Sequence, residues 1–313
     1  MTSTLPDLRP VTDPPPSPRR WWREIAYILA FYAVSSVIRR APGTAAGPVA
    51  ASTSAPAQPP GWRGRLRWWR EVVYILAFYF VYSAVRNTQG SAAVSAAHAM
   101  GNALEIIRWE ETLGIYWEQS IQHAFLGNRL FIGFWNVFYG SFHFVVTAGA
   151  LILLFRRFPD RYRRWRNTLA FTTALALVGF ATYPLMPPRL LPSSYGYVDT
   201  LRTYSTLWSF DSGTMQKISN QYAAMPSLHF AWSAWSALVL IPAVRTRWAK
   251  ALAATYPFMT LFAIVVTANH FILDAAGGVL VLAVGALLGF PLAARIERRN
   301  PSVPRTAPMP AAA

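Results

Sequence analysis

Six apolar runs of roughly bilayer length, separated by short loops crowded with arginine, constrain this chain more than any other feature. They are Val72–Val85, Phe131–Phe155, Thr168–Tyr183, Phe230–Val244, Ala251–Ala268 and Phe271–Ala293. Hydrocarbon offers no partner to a backbone N–H or C=O, so a run of about 20 apolar residues crosses a membrane as a helix that pairs its own backbone. With 54% hydrophobic, 15% aromatic and 13% charged residues, the chain is too apolar for a soluble domain. The runs predict an all-α, polytopic membrane protein with a six-transmembrane-helix core bundle. The net charge of +16 fits the same picture. If the first run starts inside, the inner flanks hold seventeen Lys and Arg residues and the outer flanks six, which is the bias that orients membrane proteins. Charges spread among interhelical loops, rather than gathered on one polar face, argue against a nucleic-acid partner. Cysteine is absent, which removes disulfides, cysteine metal sites and thiol chemistry.

The core is expected to span residues 67–294, behind a Pro/Ala-rich extension at 1–66 and ahead of a basic, Pro-rich cytoplasmic tail at 295–313. Residues 1–20 and 41–61 have the composition of linker. Between them, Trp21–Arg40 duplicates Trp68–Asn87, with thirteen of twenty positions identical. Its apolar run is short, which favours an interfacial or poorly spanning helix over an extra span. Arg39 and Arg40, at the end of that run, argue against a cleaved signal. Asn102–Gly127 carries Ile106, Trp109, Leu113, Trp117, Ile121 and Phe125 at helical spacing, with Glu105, Glu110, Glu111 and Glu118 between them. It predicts one amphipathic, acid-bearing helix.

Two short stretches carry chemistry. In the first, Pro226-Ser227-Leu228-His229 opens the fourth run, and proline is favoured at a first helical position. First-turn amides and the positive end of the helix dipole suit a phosphate, and a histidine there can move a proton. In the second, His270 and Asp274 stand four apart and would share one helix face. A carboxylate beside an imidazole fixes its tautomer and supports its positive charge. The expected topology brings both histidines to the outer face. That face also receives the loop Pro184–Met225, with Pro187-Pro188-Arg189 near its start.

Pro226-Ser227-Leu228-His229 matches the Pro-Ser-x-His element of the type 2 phosphatidic acid phosphatase superfamily, and His270 to Asp274 matches its His-x-x-x-Asp element. The chain resembles this superfamily over about residues 68–294, and within it the inositolphosphorylceramide synthase, or aureobasidin-resistance, branch. It departs from the phosphatase pattern in two places. Ala263 and Ile264 stand where a Ser-Arg pair is usual, and no Lys-x6-Arg-Pro element precedes the loop. Pro187-Pro188-Arg189 looks like the synthase branch's substitute. The resemblance implies His270 as nucleophile, Asp274 as the group that orients it, and His229 as the acid and base at the exchanging oxygens. Arg189 and the amides at Ser227 and Leu228 would bind phosphate, and no cofactor or metal is needed.

Tyr139, His143, Asn220, Tyr222 and Asn269 are the candidate substrate and acceptor groups on the same face. His98 and His123 read as ordinary packed or interfacial residues. The expected partners are the membrane, a phospholipid or lipid-phosphate substrate, and inositol or another alcohol as acceptor. The expected location is the plasma membrane with the site outward. Water as the acceptor would make the chain a lipid phosphate phosphatase instead. A metal-dependent membrane hydrolase competes because two histidines and a carboxylate can form an open metal site. A lipid transporter would also place polar residues within spans, although the tandem repeat here is not the inverted repeat common in transporters.

Overall fold

A computed structural model of the protein describes residues 68–88, 96–204 and 221–299. The chain divides into two units, Met1–Gln58 and Pro59–Ala313, and the described residues lie in the second. The segment Trp21–Arg40, Asn220 and the tail beyond 299 lie outside them.

The described elements are helices: α1 (Trp68–Thr88), α2 (Ala96–Leu113), α3 (Glu118–Phe125), α4 (Arg129–Arg157), α5 (Pro159–Thr182), α6 (Thr200–Thr203), α7 (Leu228–Leu240), α8 (Arg247–Val266) and α9 (Ile272–Arg299). Extended pairing among the described residues is confined to an isolated bridge between Leu185 and Ala223. Helices α4, α8 and α9 are long and apolar enough to cross a membrane. Helix α7 is apolar but has 13 residues, and α1 and α5, expected as spans, fall outside that criterion. Large apolar side chains face outward along the apolar helices, among them Phe134, Phe144 and Val145 on α4, Leu252 and Phe258 on α8, and Leu280 and Leu287 on α9. A lipid-facing surface explains this exposure.

Small residues set the closest packing in the bundle. A Cβ at Gly289 would meet the Thr168 backbone at 2.6 Å, and one at Gly285 would meet the Thr172 amide at 2.9 Å, so α9 lies backbone-to-backbone on α5. At the other end of the interface, a Cβ at Gly179 would sit 2.5 Å from Pro226 Cδ, and one at Gly278 would sit 2.6 Å from the Ser227 carbonyl oxygen. Glycines on α5 and α9 therefore clasp the segment that leads into α7. At the arginine-rich end, Arg166 on α5 pairs with Glu71 on α1, which also accepts from the Tyr162 hydroxyl.

The expected amphipathic helix over Asn102–Gly127 is two helices. Helix α2 stops at Gly114, whose φ of 69° is the left-handed conformation that glycine adopts without a Cβ penalty. The Gly114 and Ile115 amides close the end onto the Glu111 and Glu110 carbonyls at 3.1 and 2.8 Å, as in a Schellman motif. The polarity also departs from the expectation at several positions, although Ile106 is buried and Glu111 exposed as expected. Trp109, Leu113 and Trp117 are exposed, while Glu110, Glu118 and Gln122 are wholly buried. In an apolar surrounding the tryptophans are suited to the outside, and the acids turn inward to backbone donors.

Candidate active site

Helix α7 starts two residues later than the proline suggests, at Leu228. Ser227 is the N-cap, and its Oγ accepts from the Phe230 amide. A serine cap pairs an orphan amide that proline leaves unpaired, so Pro226 stands just outside the helix. His229 falls in the first turn. The Ser227 amide donates to the Asp274 carbonyl at 2.9 Å, which removes it from the expected phosphate-binding set and ties the α7 cap to the first turn of α9. The Leu228 amide remains in that set.

His270 precedes α9 rather than sitting on it, which corrects the expected shared helix face. The chain turns through Ala268, at φ 52°, so the imidazole folds back over the first turn. Its Nδ1 donates to Asp274 Oδ2 at 3.1 Å, and the Phe271 amide donates to the same oxygen at 3.0 Å. Asp274 is fully buried and His270 nearly so. With Nδ1 protonated toward a carboxylate, a neutral His270 presents a lone pair at Nε2. Nδ1 of His229 stands 3.3 Å from that atom. Two histidines 41 residues apart thus share one site.

Tyr139 and His143, one helical turn apart on α4, flank His229. The Tyr139 ring stacks on it at 4.3 Å, and the His143 ring meets it edge-on at 4.2 Å. Asn269 faces elsewhere. Its Oδ1 accepts from Arg189 Nε at 2.9 Å, and its Nδ2 donates to Thr267 Oγ1 at 2.9 Å. Both ends of its amide are engaged within the protein, and it orients the arginine. Tyr222 packs in the apolar cluster beneath the loop, with its carbonyl accepting from the Leu185 amide.

Arg189 is the middle residue of a short helical turn, Pro188–Leu190, and its amide donates to the Ala268 carbonyl at 2.8 Å. The guanidinium also pairs with Asp199 at 2.9 Å. Asp199, which the motifs did not reveal, caps α6 through the Leu201 and Arg202 amides. The only available signal was a lone acid before Thr200 in an otherwise acid-poor loop, the common appearance of an N-cap. Gln122 holds this loop through both Val198 backbone groups, and Asn136 holds it through Thr200. His123 Nε2 donates to that same loop at the Gly196 carbonyl, 2.7 Å away, which gives it a packing role.

The arrangement places a carboxylate-oriented imidazole, a second imidazole and an arginine on one loop-covered end of the bundle. Such a set can bind and transfer a phosphoryl group. The PAP2 superfamily matches residues 104–288, well over half of the chain. The chain belongs to the PAP2 superfamily. Comparisons with curated proteins and with solved structures give no match. The PAP2 match begins in α2 and ends in α9, so it takes in Glu110, Glu118, Arg189, His229, His270 and Asp274 together. Membership and the apolar helices make this a membrane enzyme of the lipid phosphatase or phosphotransferase kind.

Proposed function

We propose that this PAP2-superfamily chain is a six-span phosphotransferase that works on lipid-linked phosphate at the outer face of the plasma membrane, through a phosphohistidine at His270. The main support is the pairing of His270 Nδ1 with Asp274 while Nε2 faces His229 at 3.3 Å. In the first half-reaction the Nε2 lone pair attacks phosphorus, the P–O bond to the leaving alcohol breaks, and His229 protonates that oxygen. In the second half-reaction His229 takes the proton of an acceptor hydroxyl, the acceptor oxygen attacks phosphorus, and the P–N bond breaks. Arg189 and the Leu228 amide offset the charge on the transferring group. Inositol or another alcohol is the acceptor that Tyr139 and His143 would serve. The resemblance to inositolphosphorylceramide synthases points the same way, whereas water as acceptor gives a phosphatase and leaves those two side chains without a chemical role.

The test incubates purified protein with a panel of lipid phosphates and phospholipids, with and without inositol, and measures free phosphate, new phospholipid and covalent labelling. His270→Ala should abolish turnover and labelling. His229→Ala should still be labelled by a substrate whose leaving group needs no proton. Labelling that survives His270→Ala removes the assignment of the nucleophile.

A further inference from the structure

The mechanism leaves two buried acids unused. Glu110 on α2 and Glu118 on α3 are both completely shielded from solvent. Glu110 Oε1 accepts from the Leu273 amide at 2.7 Å, and Glu118 Oε1 accepts from the Ile272 amide at 2.9 Å. These are first-turn amides of α9, immediately ahead of Asp274. The turn at Gly114 sends the chain back on itself, so two acids eight residues apart reach the same helix end. The Ile272 and Leu273 amides are neighbours along the chain, so the two carboxyls that accept from them meet at one helix end. Oε2 of Glu110 and Oε2 of Glu118 are buried and have no hydrogen-bond partner among the described residues.

Two carboxylates in contact in a dry site cannot both stay ionised, and the pair titrates as a unit. Burial, and Glu118 beside it, push the Glu110 carboxyl from an ordinary 4.5 up to about 9. Burial also raises Glu118. Among the described residues, Asp274 on α9 raises both acids, and the phenols of Tyr116 and Tyr197 in the flanking loops are raised by burial and in turn by the two acids. One negative charge at a helix N-terminus is stabilised by the dipole, and the second would have only repulsion.

We propose that Glu110 and Glu118 share one proton and, as a singly charged pair, act as positioning residues that hold the first turn of α9 so that Asp274 stays against His270. The proposal rests on the reading of His270 as nucleophile, and its test includes a readout that does not. Glu110→Gln keeps an oxygen for the Leu273 amide and an N–H for Glu118, so it imitates the protonated acid but has no proton to lose. Glu110→Ala removes the acceptor. Both variants and the wild type, purified in the same detergent, are compared between pH 6 and pH 10 by turnover of a lipid phosphate and by thermal unfolding.

Native protein keeps the Glu110 proton over a range in which the unfolded chain has lost it. The contribution is complete below about 4.5 and disappears as pH rises through about 9. Wild-type unfolding temperature and kcat should therefore fall toward the alkaline end, and Glu110→Gln should remove that fall in both while retaining turnover near neutrality. Glu110→Ala should lose about a hundredfold in kcat at every pH, the scale expected for a misplaced catalytic group, with KM little changed. An alkaline limb that is the same in Glu110→Gln and wild type, by unfolding and by turnover, overturns the proposal. Loss of turnover in Glu110→Gln as deep as in Glu110→Ala also overturns it. If His270→Ala proves active, the nucleophile assignment fails, and the unfolding series still decides whether the proton is shared.

Discussion

At the scale of single residues, the site depends on which polar atoms are already committed. Asn269 is bound at both ends of its amide and serves Arg189. The Ser227 amide serves Asp274. Tyr139 and His143 pack on the ring of His229, the proposed acid and base, and Tyr139 also meets the His270 ring edge-on at 6.4 Å. Transfer to an alcohol needs groups that admit that alcohol and keep water out, whereas hydrolysis needs neither. Replacing Tyr139 with Phe or His143 with Ala should therefore reduce the yield of new phospholipid about tenfold or more relative to free phosphate, a loss of roughly 1.4 kcal/mol in discrimination. Product ratios from one labelled donor, with and without inositol, measure this. An equal fall in both products would leave the phosphatase as the better reading.

At the scale of elements, the short run from Met225 to His229 is placed by glycines on its neighbours rather than by its own preferences. Gly179 on α5 and Gly278 on α9 leave room for Pro226 and for the Ser227 carbonyl. Alanine inside a helix ordinarily stabilises by about 1 kcal/mol over glycine. At Gly278 the added methyl would lie 2.6 Å from a backbone oxygen that cannot rotate away. Gly278→Ala should reverse the usual sign and destabilise by about 1–3 kcal/mol, the range for an overpacked interior. It should also displace the α7 cap and with it His229, so kcat should fall. Thermal unfolding in detergent checks the sign, and an unfolding temperature above that of the wild type would show that the glycine is not needed for close approach.

At the scale of the whole molecule, the two ends of the bundle differ. One end carries the loop with Arg189 and Asp199, the two histidines and the buried acids. The other carries the arginine-rich loops and the Arg166–Glu71 pair. The proposed orientation puts the first end outside. Because the chain has no cysteine, single thiols report on this directly. Ser194 and Asp160 are exposed on opposite ends. In intact cells a membrane-impermeant maleimide should label Ser194→Cys, and it should reach Asp160→Cys only after permeabilisation. The opposite pattern would put the site on the cytoplasmic face.

Much of this was open to reading in the chain itself. Backbone pairing in hydrocarbon has essentially one local solution, so apolar runs announce helices, and their ends agree with α4, α8 and α9 to within a few residues. His229, His270, Asp274 and Arg189 stood out because their spacing and polarity are costly in apolar segments. Tertiary structure decided the rest. The break at Gly114, the inward turn of Glu110 and Glu118, the pairing of Arg189 with Asp199 and the commitment of Asn269 each depend on a partner far along the chain. No periodicity encodes such a partner. Local sequence determined which segments are helical and which residues are chemically unusual, because those depend on short-range sterics and on solvation. Which polar atom remains free for a substrate was decided only when long-range packing assigned the others.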